Sequence, residues 1–414
     1  MTKGDRCFVF MQLPFGLEVV PCGRFRSEAQ LGVEAGKFTY LPEYLARAGA
    51  VAIDPFELPL RKGTFTTTRL KGIFGALRDA SPDAWGRRVI EHALRVSELS
   101  EVQYLLNSPE DRIGALSFSK NEHPPAPVQR FNQNLQLAQL VGLAEQIHEG
   151  ASPESIAQSA DLLSPGTSLG GARPKNVVED DEGLWVAKFP LKTDRWNSPV
   201  VEAAMLSLGA RAGLKVARHR VQRVGTKAVL LVRRFDRERT EGGYLRTRMV
   251  SGLTVLQAED GATDRLAWSY PRLAEELRRW CRDARVHQQE LFRRMAFNAL
   301  ISNSDDHPRN HALIAPGSDW LLSPAYDLTP SPTVSQERRL AMQIGSHGVA
   351  ATRKNLLSVA RRFDFSAEEA TAEIDRIQDC VQRHWEQEVR KHGGTEADVA
   401  AVAPAFDYPG FEYP

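Results

Sequence analysis

The chain has 414 residues, 42% apolar and 25% charged, with 53 basic against 52 acidic side chains. That length holds two or three domains, and the balanced charge leaves no global field to recruit nucleic acid or an anionic membrane. No apolar run approaches the roughly 20 residues that span a bilayer, and Cys7, Cys22, Cys281 and Cys380 lie far apart without C-x-x-C spacing, so neither a zinc knuckle nor a disulfide scaffold is expected.

The opening "MTKGDRCFVFMQLPFGLEVV" is broken by Pro14 and Gly16 and carries Asp5 and Glu18, so it reads as strands rather than a signal peptide. A cytoplasmic protein without membrane association is expected. "GKFTYLPEYLA" reads as a strand and a short helix. In "ASPDAWGRRVIEHAL", Ser81 is the expected N-cap and Pro82 the first helical residue. A seam follows at 121–133, "NEHPPAPVQRFNQ", rich in proline and amides and poor in periodicity, as linkers are. Residues 1–125 are therefore expected to form an N-terminal α+β unit.

After the seam, "GLWVAKFPL" alternates, with Trp185, Ala187 and Phe189 on one face, and reads as a strand with Lys188 at its end. "PVVEAAMLSLGARAGLKV" places Val201, Met205, Leu208 and Ala212 at helical spacing, Gly213 as a C-terminal cap and Glu202 near the start. "KAVLLVRRFDR" is a second apolar strand running into a polar hinge. The basic stretch "RRFDRERTEGGYLRTRMV" offers cations to phosphates, although such a run is ordinarily a solvated face. "QQELFRRMAFNALI" reads as a helix that feeds "ISNSDDHPRNHAL", and "HALIAPGSDWLLSPAYDLTP" as a hairpin turning at 316–319.

This order places Asp305 and Asn310 in a loop after a helix, and Asp327 at the far end of the hairpin. Phosphoryl transfer of the protein-kinase kind needs one carboxylate to position the attacking hydroxyl, then an amide and a second carboxylate to hold metal on the phosphates. Asp305 to Asn310 has the D-x-x-x-x-N interval of a kinase catalytic loop. An upstream strand lysine and helix glutamate fall in the order that chemistry requires. No G-x-G-x-x-G occurs; the nearest phosphate loop is "SPGTSLGGARPK", 164–175, where glycines permit close backbone approach and Arg173 and Lys175 supply charge. Asp306 is a rival for Asp305, but the interval to Asn310 favours Asp305. His307 and His311 form H-x-x-x-H, which suggests zinc on a helix, but Pro308 lies between them and no third ligand is evident.

Taken together, "TSLGGARPK", "WVAKFP", "LVRRFDR", "SNSDDHPRNHALI" and "LSPAYDLTPS" resemble the HipA family of serine/threonine kinase toxins from bacterial toxin–antitoxin systems. "GKFTYLPEYLA", "LPLRKG" and "LRDASPDAWGRRVI" resemble that family's N-terminal subdomain, so the likeness covers nearly the whole chain. It implies an α+β, bilobal protein-kinase-like fold: the extra N-terminal α/β subdomain at 1–125, a kinase N-lobe at 126–235 and a mainly helical C-lobe at 236–414. It also implies ATP- and Mg2+-dependent phosphorylation of protein serine or threonine. By position, Asp305 is the expected catalytic aspartate, Asn310 and Asp327 the metal ligands, Lys188 the phosphate lysine and Glu202 its ion-pair partner. The ATP site would further include Gly170, Gly171, Ala172, Arg173 and Lys175 over the phosphates, Arg233, Arg234 and Phe235 as hinge, and His307, Arg309 and Tyr326. Ser168 matches a serine that such kinases phosphorylate on themselves. Pro174 departs from the pattern, because it removes a backbone N–H from the phosphate loop. The resemblance further implies an aminoacyl-tRNA synthetase as substrate and a small helix-turn-helix antitoxin as partner, with DNA contacted only through the antitoxin complex. Two other classes are a catalytically weak antitoxin- and DNA-binding regulator, and a metal-dependent hydrolase built on Asp305, His307 and His311.

Overall fold

The structure is a computed structural model and describes residues 5–30, 33–125, 131–133, 136–148, 173–261 and 267–413. Two compact units are assembled from interleaved stretches. The first comprises Met1–Phe189, Arg233–Val250 and Ile314–Ser318; the second comprises Pro190–Val232, Ser251–Leu313 and Asp319–Pro414.

The first unit contains a five-stranded antiparallel sheet made of β1 (Arg6–Gln12), β2 (Val19–Gln30), β3 (Val33–Tyr40), β4 (Thr64–Thr67) and β5 (Leu116–Ser119), in the order β4-β3-β2-β1-β5. Alternation sends Val9, Phe25 and Phe38 into the core, each no more than 1% exposed. Helices α1 (Pro42–Leu45), α2 (Gly75–Asp79), α3 (Ala84–Leu94) and α4 (Glu101–Asn107) accompany the sheet. Ser100 and Gln103 close a capping box on α4. α3 starts later than Ser81 and Pro82 suggest: Asp83 Oδ1 takes the Gly86 N–H at 2.7 Å, and a carboxylate at that position outcompetes the serine two residues earlier. The seam also ends sooner than expected. Asn132–Gln133 is a strand, β6, paired parallel to β7 (Lys175–Asp180), with Asn132 Nδ2 donating to Asn176 Oδ1 at 2.9 Å. Residues 126–130 of the seam lie outside the described residues. Helix α5 (Leu137–His148) follows, and β7 forms a hairpin with β8 (Gly183–Lys188), the strand expected of "GLWVAKFPL".

The stretch Arg233–Val250 is not a solvated basic face. Arg234, Arg237 and Arg248 are 4–6% exposed. Asp236 sits between Arg234 and Arg237, each with a nitrogen 2.8 Å from Oδ2, and Gly114 N donates to the same carboxylate at 3.0 Å. Burial pushes the Asp236 carboxyl up, but the two guanidiniums outweigh it and hold the group below the ordinary carboxylate range. Arg246 reaches Ser117 Oγ at 2.9 Å and Glu110 O at 3.0 Å, and Arg248 caps Ala52 O at 2.8 Å.

The second unit is mainly helical. It holds α6 (Ser198–Arg211), the hairpin of β9 (His219–Val224) and β10 (Lys227–Arg233), then α7 (Gly252–Val255), α8 (Tyr270–Trp280) and α9 (Ala284–Leu300). The chain continues to α10 (Arg353–Leu357), α11 (Ala367–Lys391) and α12 (Glu396–Val402). The apolar positions read for α6 are buried, and so are Val200, Ala203 and Leu206 on its other faces, so this helix is internal rather than amphipathic. Gly213, at φ +82, ends it as a left-handed cap. Among the described residues no helix is long and apolar enough to cross a membrane.

Candidate active site

The site in the second unit begins where α9 stops. Ile301 closes the helix, Ser302 turns left-handed at φ +57, and Asn303 N returns to Asn298 O at 2.9 Å. The next two residues face opposite surroundings. Asp305 is exposed, while Asp306 is 1% exposed, accepts from the Tyr270 hydroxyl and has His311 Nε2 at 3.1 Å. A single 3-10 turn, Pro308–Asn310, then folds Asn310 back so that its Nδ2 donates to Asp305 O at 3.3 Å. That bond commits the amide nitrogen and leaves Oδ1 to accept.

Strands Ala312–Ala315 and Leu321–Leu322 form the expected hairpin region, with Ser323 N donating to Ala312 O at 2.9 Å. Tyr326 hydroxyl then donates to Arg309 O at 2.7 Å, and Arg309 itself is held by both carboxylate oxygens of Asp260, at 2.8 and 2.6 Å. Asp327 has a positive φ of 56°. A non-glycine residue in that region carries strain, which persists where the surroundings enforce it. Asn303 supplies part of the enforcement: its Nδ2 reaches Asp327 O at 3.4 Å and Asn298 Oδ1 at 3.1 Å. Ser331 N also donates to Ser302 O at 3.0 Å. Asp305, Arg309, Asn310, Tyr326 and Asp327 are thus joined in one hydrogen-bonded neighbourhood. Asn303, Asn298 and Tyr270 belong to it and were not read from the sequence.

The H-x-x-x-H pair is divided. His311 is 2% exposed, turned to Asp306 and edge-on to Tyr270 at 5.3 Å, whereas His307 lies edge-on to Trp268 at 6.4 Å. Among the described residues no group of three or more His, Cys, Asp or Glu is arranged to hold a metal ion.

The remaining expected residues lie on other elements. Glu202, 6% exposed, is on α6 of the second unit, and Lys188 is the last residue of β8 in the first. Lys175 is internal: its Nζ lies 3.0 Å from Asp83 Oδ2, with both side chains no more than 10% exposed, so the lysine neutralises the cap of α3. Arg173 is exposed, and Pro174 O accepts from Phe189 N at 3.3 Å. Gly170, Gly171, Ala172 and Ser168 lie outside the described residues. At the expected hinge, Arg233 lies over the Trp185 ring at 5.7 Å and donates to Leu184 O at 3.3 Å. Arg234 N donates to Leu184 O at 2.9 Å, its guanidinium donates to Asp111 O and Arg112 O, and Phe235 is half-buried.

Two family models match the sequence: the HipA-like C-terminal domain over residues 167–385 and the HipA N-terminal domain over residues 18–119. The chain belongs to the HipA family. Its fold is mixed α/β and is similar to that of HipA from Shewanella oneidensis MR-1, solved as a toxin–antitoxin complex of HipA, HipB and operator DNA. That likeness has 17% identity, a TM-score of 0.64, and covers 97% of this chain and 98% of the other. The Helicobacter pylori proinflammatory kinase CtkA aligns with 58% of this chain and 94% of its own, at 14% identity and a TM-score of 0.38. Comparison with curated protein sequences gave no match. Membership in the HipA family rests on both matched domains, one on each side of the seam.

Proposed function

We propose that this HipA-family chain is an ATP- and Mg2+-dependent serine/threonine protein kinase acting as the toxin of a toxin–antitoxin system. The observation that carries the reading is the loop from Ser302 to Asn310, in which the residue with the one exposed carboxylate, Asp305, has its backbone O bonded by the Asn310 amide, while Asn303 of the same loop bonds the backbone O of the strained Asp327. The donor set fits magnesium, since Asn310 Oδ1 and the Asp327 carboxylate are hard oxygen ligands of the kind that ion accepts alongside phosphate. When bound, Mg2+ and ATP supply the neutralised phosphates and the transferable phosphoryl group. Asp305 orients the substrate hydroxyl and accepts its proton at a carboxylate oxygen. Lys188 pairs with the phosphates, oriented by Glu202; Arg233 to Phe235 form the adenine edge; His307, Arg309 and Tyr326 shape the nucleotide site.

On this reading the kinase is bilobal, with a subdomain at 1–125, an N-lobe at 126–235 and a C-lobe at 236–414. Gly170 to Arg173 cover the phosphates, Lys175 being committed to Asp83, and Ser168 is an autophosphorylation site that silences the enzyme. The substrate is an aminoacyl-tRNA synthetase. The Shewanella protein was solved with HipB and operator DNA, and by that analogy a small helix-turn-helix antitoxin restrains this chain and mediates any DNA contact.

The test is incubation of the purified protein with labelled ATP, magnesium and a bacterial lysate, beside Asp305→Asn. Label should appear on one lysate protein and on the kinase itself with wild type and fall by about 10²-fold or more with the variant, while ATP binding persists. Equal labelling by the two proteins would remove Asp305 from the chemistry. No transfer by wild type would favour the regulatory reading.

A further inference from the structure

Next to the exposed Asp305 the chain buries a second carboxylate, and burial of an ionised group is costly unless hydrogen bonds and charge satisfy it. Asp306 is satisfied from two directions: the Tyr270 hydroxyl donates to Oδ2 and His311 Nε2 stands 3.1 Å from Oδ1. The bonding does not end there. Tyr270 Oη accepts from Asn298 Nδ2 at 3.2 Å, Asn298 Oδ1 accepts from Asn303 Nδ2 at 3.1 Å, and Asn303 Nδ2 also reaches Asp327 O at 3.4 Å. Asp306, Tyr270, Asn298 and Asn303 are each no more than 1% exposed and His311 is 2% exposed. The five side chains come from the first residue of α8, the last turn of α9, and the start, middle and end of the loop.

We infer that Tyr270, Asp306 and His311 are positioning residues: they fix the peptide that carries Asp305 and, through Asn298 and Asn303, hold it in register with Asp327. The inference rests on the kinase reading for its catalytic consequence, and on the geometry alone for the tether. The Asp305 side chain is exposed, and only its backbone O is held, by Asn310 Nδ2 at 3.3 Å and His307 N at 2.9 Å. Its place is set by the peptide it shares with Asp306, which cannot shift without breaking a buried phenol–carboxylate bond. Asn303 Oδ1 and His311 Nδ1 are buried without a hydrogen-bond partner, so the tether rests on the bonds that are made, the phenol–carboxylate contact and the amide chain, and small displacements of a reacting group cost rate steeply.

Tyr270→Phe removes one hydroxyl and keeps the ring, and Asp306→Asn keeps shape while weakening both bonds. Each should lower kcat for substrate labelling about tenfold or more, with the KM for ATP within about twofold of wild type. Because both act on one bond, the double variant should be little worse than the worse single. Amide hydrogen exchange should quicken over residues 303–310 and stay unchanged in the body of α9. A wild-type kcat in Tyr270→Phe, or a matched loss of rate and ATP affinity with faster exchange throughout α9, would overturn the positioning role. Should wild type transfer no phosphate, the kinase reading fails, and the exchange measurement still decides the tether: unchanged exchange over 303–310 sinks it.

Discussion

Lys188 and Lys175 are both strand lysines in "ARPKNVVEDDEGLWVAK", and their surroundings separate them. Lys175 is spent on Asp83, an ion pair no more than 10% exposed on either side. Removing one partner of such a pair leaves an uncompensated buried charge, so its substitution would report folding rather than nucleotide binding. Lys188 ends β8 half-buried and is the better probe. Lys188→Ala should weaken ATP binding about tenfold or more, as loss of a charge-assisted bond to phosphate would, and Glu202→Ala, acting through the lysine, should do so less. Titration calorimetry with ATP and magnesium measures both, and an unchanged affinity in the lysine variant would return it to an ordinary strand position. At this scale the sequence showed the spaced triplet of Asp305, Asn310 and Asp327, because loop chemistry is written in short intervals. It did not show Tyr270 or the Asp83–Lys175 pair, whose members lie 36 and 92 residues from their partners.

Elements were legible where their signals are local. β8, α6, α9 and the hairpin after the loop follow from alternation, helical spacing, a glycine cap and a turn of proline and glycine. The start of α3 and the β6 strand were misread, since Asp83 and Asn132 take their roles from bonds to Gly86 and Asn176. Between Asp327 and α10 the chain forms only turns and isolated bridges, yet Arg338, 5% exposed, braces it. Its guanidinium donates to Thr333 O at 3.1 Å and Ser335 O at 3.0 Å, and also to Pro404 O at 2.8 Å, Ala405 O at 2.6 Å and Asp407 O at 2.6 Å. It further donates to Ser302 Oγ, at the root of the Asp305 loop. Arg338→Met would keep much of the packing against Tyr408 and orphan several of these acceptors, each costing about 1–3 kcal/mol when buried. A loss of about 3 kcal/mol or more is expected from the urea midpoint at unchanged slope. A shift below about 1 kcal/mol would mean that water replaces the arginine.

The whole molecule is where the sequence said least about boundaries. An α+β chain was readable, but the return of Arg233–Val250 and Ile314–Ser318 to the first unit depends on arginines bonding distant carbonyls, as Arg248 does at Ala52 O and Gly317 O. Composition marks such a stretch only as basic. The two units also carry titratable groups of opposite sign. In the first, Asp54 is 1% exposed, and burial raises its carboxyl to about 7 although Phe56 N and Glu57 N donate to it at 2.7 and 3.1 Å. In the second, His219 and His392 both place Nε2 on Ser207 Oγ, at 3.0 and 2.8 Å, and burial lowers both. Between the unfolded carboxyl value near 4 and about 7, the folded chain holds the Asp54 proton while the unfolded chain has lost it, so this group's stabilisation fades as pH rises. For the histidines the unfolded chain binds protons first, below about 6.5, so their stabilisation is present above that pH and fades as it falls. Asp54→Asn, whose Oδ1 can accept the same two N–H groups, should therefore gain on wild type from pH 5 to pH 8. His392→Gln should lose less stability than wild type between pH 7 and pH 5. Urea midpoints across that range read both, and curves parallel to wild type in either variant would show that the group named does not titrate differently on folding.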